Sequence, residues 1–302
     1  MYRLGVVKQS DSARVVVERA GYLLPIDVLL NGAIQEKLGT APLDLMPLLL
    51  EWAYWSEQLD QCVSRHLSHF ESRGVAAADA QFLAPIALPG KIICIGSNYH
   101  DHIAEMAVPM MPTYPYSFLK PANNTIRGSG QAVAVPKRSR MMDWEAELAV
   151  VIGTKCVNVD TADALKYVAG YANFNDLSAR DWLADRPPIG VDWVQHKAFD
   201  GFAPVGPYLV PRQFVDDPQN LPVRLSVNRV TKQESNTNQM IFGVQKIIEH
   251  LTSIMTLFPG DIIATGTPAG VGHGRKPPEY LKAGDEVRMQ VGPLGELVTP
   301  IT

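Results

Sequence analysis

Residues 143–153, DWEAELAVVIG, set the hardest constraint on how this chain can fold. Read as a strand, they point Asp143, Glu145 and Glu147 to one face and Trp144, Ala146 and Leu148 to the other. The apolar run that completes the segment predicts a buried strand, and the acids at its head are drawn inward with it. Carboxylates about 5 to 6 Å apart repel by roughly 3 kcal/mol at an effective dielectric of about 20. Open water tolerates that and partial burial does not, so the pattern reads either as a solvated strand face or as acids gathered around a cation. Carboxylate oxygens without thiolate or imidazole suit the hard ions Mg²⁺, Mn²⁺ or Ca²⁺ far better than zinc.

Other segments carry chemistry of their own. About thirty residues downstream, YANFNDLSARD offers Asp176 and Asp181 as a further acid, with Arg180 between them. GSNYHDHIAEM follows the apolar KIICI and sets His102 and Glu105 three residues apart. In one helical turn they are neighbours, and the carboxylate can fix the imidazole tautomer and raise its basicity, which is how a general-base dyad is built. An HxxE pair alone is common and mostly incidental, and His100 reads as a surface residue. The Gly-rich ATGTPAGVGHG fits neither phosphate-loop spacing, which excludes nucleotide binding there. Its amides and the Thr267 hydroxyl can still hold a small carboxylate, or simply turn the chain. Lys120 in FLKP and Lys197 in HKAFDGF have aromatic or apolar neighbours, a setting in which a lysine commonly snorkels to the surface.

Composition closes off several classes. The chain has 302 residues, 46% hydrophobic and 19% charged, the balance of an ordinary globule with room for two domains or one large one. A net charge of -4 argues against nucleic-acid binding of the usual basic kind. No apolar stretch approaches the roughly 18 residues a membrane span needs, and the start of the chain has charges where a secretory signal has its apolar core. No membrane partner and a cytoplasmic location are expected. Cys62, Cys94 and Cys156 lack CxxC spacing and read as buried thiols.

Residues 1–80 read as a small α+β domain, with strands at 3–7, 14–18 and 21–24 and a helix over 57–71 whose apolar face includes Leu59, Cys62, Val63, His66, Leu67 and Phe70. The stretch 72–90 breaks the periodicity and reads as a linker, and residues 81–302 form the second domain. Strands are expected there at 91–97, 145–152, 223–230, 261–265, 286–291 and 296–301, with helices over 160–170 and 242–258 and with His250 on the surface of the latter. Strands joined by long, Pro-rich connections argue for a β-rich α+β domain and against a doubly wound sheet.

The segments KIICIGSNYHDHIAEM, FLKP, DWEAELAVVIG, NDLSARD, HKAFDGFAPVGP, MIFGV, GDIIATGTPAGVG and GRKPPEYLKAGDEV, in that order, resemble the signature set of the fumarylacetoacetate hydrolase family. The resemblance covers the whole second domain. It implies a β-rich catalytic domain of mixed β-roll type after a small α+β N-terminal domain, a homodimer, and Mg²⁺ or Mn²⁺ held by Glu145, Glu147 and Asp176. By the same resemblance, His102 and Glu105 form a lid-borne catalytic dyad with Lys197 beside it, and Tyr99, Lys120, Arg180 and Thr267 contact the substrate. One departure stands out: where many family members have glutamine three residues after the arginine of the ARD motif, this chain has Leu183, which can donate no hydrogen bond to a developing oxyanion.

The activity this resemblance implies is hydrolysis of a carbon-carbon bond in a small anionic acylpyruvate or 1,3-diketo acid, in which Glu105 orients His102 to deprotonate a water. Two alternatives use the same residues: decarboxylation of oxaloacetate, or isomerisation of a 2-hydroxydienoate of the hydroxymuconate kind. A catalytically silent metal- and ligand-binding protein is the remaining class, and it has little use for a base dyad. Residues 184–196, rich in Pro and Trp, are where substrate specificity is expected to differ.

Overall fold

The acid-headed segment forms a strand over Ala146–Ile152 in which every residue is buried. It runs antiparallel to Val168–Asn175 on one side, Ala146 facing Asn175, and to Ile262–Ala264 on the other, Val150 facing Ile263. Its side chains alternate between two cores. Leu148, Val150 and Ile152 pack with the Val244–Ile254 helix and with Leu225, Val287 and Leu297, whereas Ala149 and Val151 pack with Leu4, Trp55 and Leu59. The second of these cores also holds Ala172 and Phe174. A strand covered on both faces has no solvated side to mark with polar residues, which is why its sequence is apolar at every position but Glu147.

The computed structural model describes residues 1–106, 111–184 and 188–302. Its main sheet has twelve strands, with Val75–Ala76, Tyr22–Pro25, Ser12–Arg19, Arg3–Gln9, Ala203–Pro211, Val168–Asn175, Ala146–Ile152, Ile262–Ala264, Ile92–Gly96 and Tyr116–Lys120 in spatial order. A four-stranded antiparallel sheet, Val230–Asn236, Pro222–Val227, Glu286–Val291 and Leu297–Pro300, closes over one face. This is the β-rich α+β architecture expected, and among the described residues neither sheet closes into a barrel. No described helix is long and apolar enough to cross a membrane.

The structure corrects several expectations. Residues 72–90 are no bare linker: Val75–Ala76 pairs with Tyr22–Pro25 and Phe82–Leu83 with Arg3–Gln9, and Arg3–Gln9 itself pairs with Ala203–Pro211. The helix expected over 57–71 is two helices, Trp52–Arg65 and Leu67–Arg73, broken at His66. His66 takes φ -117 and turns its Nδ1 back to the Cys62 carbonyl at 2.9 Å, and Leu67 leaves the apolar face for solvent, whereas Phe70 stays in the core as expected. The helix expected over 160–170 is a 3₁₀ segment, Thr161–Tyr167, and the β-branched Val168 starts a strand instead. The strand expected over 223–230 turns at Asn228 and Arg229, both at positive φ, into the hairpin partner Val230–Asn236. The long helix ends at Ile254, where Met255 becomes extended. His250 on that helix is half-buried and stacks on Tyr114, ring centroids 5.8 Å apart.

Candidate metal and active site

The ladder between Met142–Asp143 and Ala146–Ile152 is interrupted, and the interruption builds the site. Asn175 Oδ1 accepts from the Glu145 amide at 3.1 Å, and the Asp176 amide donates to the Glu145 carbonyl at 3.0 Å. Those bonds hold the end of one strand against the loop that leaves its neighbour. Glu145, Glu147 and Asp176 are thereby gathered, all buried, each with a carboxylate oxygen within 4.8 Å of the others. Asp143, expected on the same face, points elsewhere. It accepts Arg180 Nε at 2.9 Å and the amides of Gly272 at 2.7 Å and His273 at 3.0 Å, because the chain kinks between it and Ala146. Asp181 takes Ser139 Oγ at 2.6 Å and the Arg140 amide at 3.0 Å, a bracing role away from the three carboxylates.

Cations lace the cluster unevenly. Lys197 Nζ donates to Glu145 at 2.8 Å and to Asp176 at 2.7 Å, and Arg180 Nη2 to Glu145 at 2.5 Å. Lys120 Nζ donates to Asp176 and, at 3.0 Å, to the Leu177 carbonyl. Glu147 alone of the four buried acids has no cation partner among the described residues; it accepts only the Gly266 amide, at 2.8 Å. The electrostatics follow. Burial works against ionisation of Glu145, but the charges of Lys197 and Arg180 outweigh it and hold the carboxyl well below its usual range. Burial, then the charges of Asp176 and Glu145, push Glu147 well up. Burial lowers Lys120 despite Asp176, whereas for Lys197 the opposing burial is outweighed by Asp176 and Glu145 and the ammonium is stabilised.

Four buried carboxylates face three buried cations in this cluster, Lys120, Lys197 and Arg180, and the uncompensated charge falls on Glu147. A buried charge without a partner is neutralised by a proton or by an ion. An all-oxygen set of three converging carboxylates fits a hard divalent cation.

The loop after Ile262–Ala264 holds anions with its amides, as its composition allowed, but the anions are the protein's own. Gly266 N–H serves Glu147, Gly270 N–H serves Glu105 at 2.8 Å, and the amides of Gly272 and His273 serve Asp143. Gly270 sits at φ +99, and a Cβ there would lie 2.2 Å from the Lys232 carbonyl oxygen, so the turn requires glycine. His102 and Glu105 lie on the short helix His100–Glu105 and meet through Nδ1 and Oε1 at 2.7 Å. Glu105 therefore joins the dyad to the same loop that supports Glu147.

A cavity of about 140 Å³ opens onto the cluster. His102, Glu145, Glu147, Asp176, Arg180, Lys197 and Thr267 line it, with Leu183, Phe118 and Trp193 as its apolar part. Three residues expected at the site stand behind this wall. Lys120 is spent on Asp176; Glu105 holds His102; and Tyr99 is fully buried, its hydroxyl without a hydrogen-bond partner among the described residues. The Thr267 hydroxyl donates to the Ala146 carbonyl at 3.0 Å rather than outward. Two functional positions had no signature in the sequence. Gln233 accepts the Ala146 amide and donates to Thr267 Oγ1, both at 2.9 Å, tying the strand head to the loop; His196, buried, lines the cavity beside Lys197. Gln233 is brought in by an element distant in sequence; His196 falls within the 184–196 stretch expected to govern specificity, but nothing there separates it from its neighbours. Of the residues 184–196 expected to govern specificity, 185–187 lie outside the described residues.

A buried carboxylate triad that could hold a divalent ion and an imidazole held by a carboxylate open on one small cavity. Residues 91–302 match the fumarylacetoacetate (FAA) hydrolase C-terminal family, and the chain belongs to that family. Human mitochondrial oxaloacetate tautomerase FAHD2B is 44% identical over 224 residues, 74% of this chain and 70% of the relative. The solved maleylpyruvate hydrolase from Sphingobium sp. SYK-6, in complex with manganese (II) and pyruvate, is 27% identical with a TM-score of 0.77, covering 100% of this chain and 99% of its own. The 2-hydroxyhepta-2,4-diene-1,7-dioate isomerase from Mycobacterium marinum is 30% identical with a TM-score of 0.70, over 100% of this chain and 98% of that one. These relatives are enzymes, and their names give three different reactions on one fold.

Proposed function

We propose that this protein is a divalent-metal-dependent enzyme that moves a proton between carbon and oxygen in a small 2-oxo diacid of the oxaloacetate class, interconverting its keto and enol forms. The observation that carries this reading is the single small cavity on which the carboxylate triad, His102 and Lys197 all open. A divalent cation on Glu145, Glu147 and Asp176 supplies Lewis acidity for a 2-oxo carboxylate. Glu105 holds His102 through Nδ1 and leaves Nε2 to act as base. His102 takes the proton from the carbon next to the oxo group; that C–H bond becomes the C=C bond, and the proton returns to the former carbonyl oxygen. Lys197 and Arg180 keep positive potential on the cavity wall while negative charge develops. A positioned base of this kind contributes typically about 10² to 10⁴ in rate.

The likeness to an oxaloacetate tautomerase at 44% identity supports this reading over carbon-carbon hydrolysis. So does Leu183, which brings an apolar side chain to the cavity wall and gives an attacking water no hydrogen bond.

The test follows oxaloacetate enol absorbance, CO₂ and pyruvate in parallel, with acylpyruvates as competitors, in Mg²⁺ or Mn²⁺ and after chelation. The expected result is metal-dependent enol-keto equilibration without CO₂ or pyruvate. Release of pyruvate from an acylpyruvate, with oxaloacetate unaffected, would make the protein a hydrolase, and CO₂ release a decarboxylase.

A further inference from the structure

His196 is buried, and its ring forms part of the wall of the 140 Å³ cavity between Lys197 and Trp193. Its Nδ1 lies 2.8 Å from the Ala179 carbonyl oxygen. A carbonyl only accepts, so Nδ1 carries the proton and Nε2 of the neutral ring carries the lone pair. Nε2 has no hydrogen-bond partner among the described residues and is not among the sealed polar atoms. The ring cannot turn its other edge outward without giving up the Ala179 bond, and Trp193 holds its face, ring centroids 5.7 Å apart and edge to face. Trp193 is in turn stacked on Phe118 at 4.2 Å.

The other polar groups on the cavity wall are donors or are already committed. Lys197 and Arg180 only donate, Thr267 Oγ1 gives its proton to Ala146 and accepts from Gln233, the three carboxylates are the cation set, and His102 keeps Nε2 for the carbon acid. Burial and the charges of Lys197 and Arg180 keep the His196 ring neutral, pushing it down to about 2.

We infer that His196 Nε2 is the acceptor that reads a hydroxyl on the bound ligand, so that the cavity prefers the hydroxyl-bearing enol over the keto form of a 2-oxo acid. The inference rests on the proposed function for the class of ligand. His196 contributes recognition and takes no proton; it places the enol O–H while His102 works at carbon.

Two measurements test it, one of them on unaltered protein. Long-range ¹H–¹⁵N spectra of ¹⁵N-histidine protein, with the His196 signals assigned by their loss in His196→Gln, should show Nδ1 protonated and Nε2 bare from pH 5 to 8. An Nε2–H tautomer or an imidazolium in that range overturns the inference. Second, Mn²⁺-loaded wild type, His196→Leu and His196→Gln are titrated calorimetrically with lactate, which carries a hydroxyl where pyruvate carries an oxo group, and with pyruvate. His196→Leu should weaken lactate on the order of 10-fold and leave pyruvate within about 3-fold. His196→Gln, whose amide can donate to Ala179 and still offer an oxygen, should keep the lactate preference. If His196→Leu does not fold, the spectra and the glutamine variant decide. An unchanged lactate-to-pyruvate ratio in both variants, in protein that turns over oxaloacetate, sinks the inference alone. Failure of both acids to bind metal-loaded wild type sinks the reading of the site with it.

Discussion

The carboxylate triad and the His102–Glu105 dyad share one cavity but are held in very different ways. Glu145 and Asp176 are cross-braced by Lys120, Lys197 and Arg180, and their backbone is tied by Asn175 and the Asp176 amide. The dyad sits on a helix of six residues, His100–Glu105, and among the described residues its side chains are hydrogen-bonded to the rest of the site through one bond, from the Gly270 amide to Glu105. Buried charges cost several kcal/mol each unless paired, so Glu145 and Asp176 sit where redundant cations fix them, and Glu147 is left as the one member short of a cation partner among the described residues. A base must instead adjust to a reacting atom, and the dyad, partly exposed and lightly tethered, is placed for that. Holding an ion and moving a proton thus make opposite demands on neighbouring side chains.

The largest effect that would break this contrast comes from Glu147, the acid without a cation. Glu147→Gln should abolish the rise in Tm with Mg²⁺ or Mn²⁺ and cost about 4 kcal/mol or more in turnover, while the metal-free protein stays at least as stable as wild type. Glu145→Gln, which leaves Lys197 and Arg180 short of a partner, should destabilise even without metal; equal metal-free stability of the two variants would erase the asymmetry proposed here. Next, His102→Ala should lose about 10² to 10⁴ in kcat with metal affinity within about 3-fold, read by turnover and Mn²⁺ titration. Metal loss in that variant would show that dyad and triad are not separable.

Lys120→Met probes the bracing itself. It removes one of two cations on Asp176 in full burial, and denaturant unfolding should register a loss of about 2 to 3 kcal/mol. The smallest effect is pH-linked. His196 is pushed down to about 2 in the native state by burial and by Lys197 and Arg180, against about 6.5 when unfolded. Below pH 6.5 the unfolded chain binds a proton that the native state refuses, so stability is lost as pH falls. Between pH 6.5 and 5.0 that amounts to about 1.6 kcal/mol. The drop should be smaller by about that amount in His196→Gln, measured by denaturation midpoints, and an identical slope in both proteins would mean the ring is not neutral.

How much of this was legible in the sequence divides along physical lines. Acids adjacent to an apolar run announce themselves, because alternation and burial are local properties; Glu145 and Glu147 were readable for that reason, and His102 and Glu105 by helical spacing. Asp143 misled, since the same alternation that linked it to Glu145 ignores a kink at Trp144. Tyr99 and Lys120 lie beside the cavity rather than on it, and no spacing tells which side of a wall a residue occupies. Gln233 acquires its position from a pairing many residues away and leaves no local trace, and His196, although inside the stretch flagged for specificity, has no pattern that sets it apart there. The 3₁₀ turn at 161–167 and the hairpin at Asn228 and Arg229 were hidden because their boundaries are set by backbone dihedrals rather than by apolar periodicity.

The Gly-rich loop from Gly266 to Gly274 gives its amides in turn to Glu147, Glu105 and Asp143. It works as a ruler marked off in peptide units, on which ion cradle, base and arginine clamp are read at fixed intervals. Inserting or deleting a single residue would slide all three marks at once, so variation in this chain has to preserve the loop's length as strictly as the glycine at its turn.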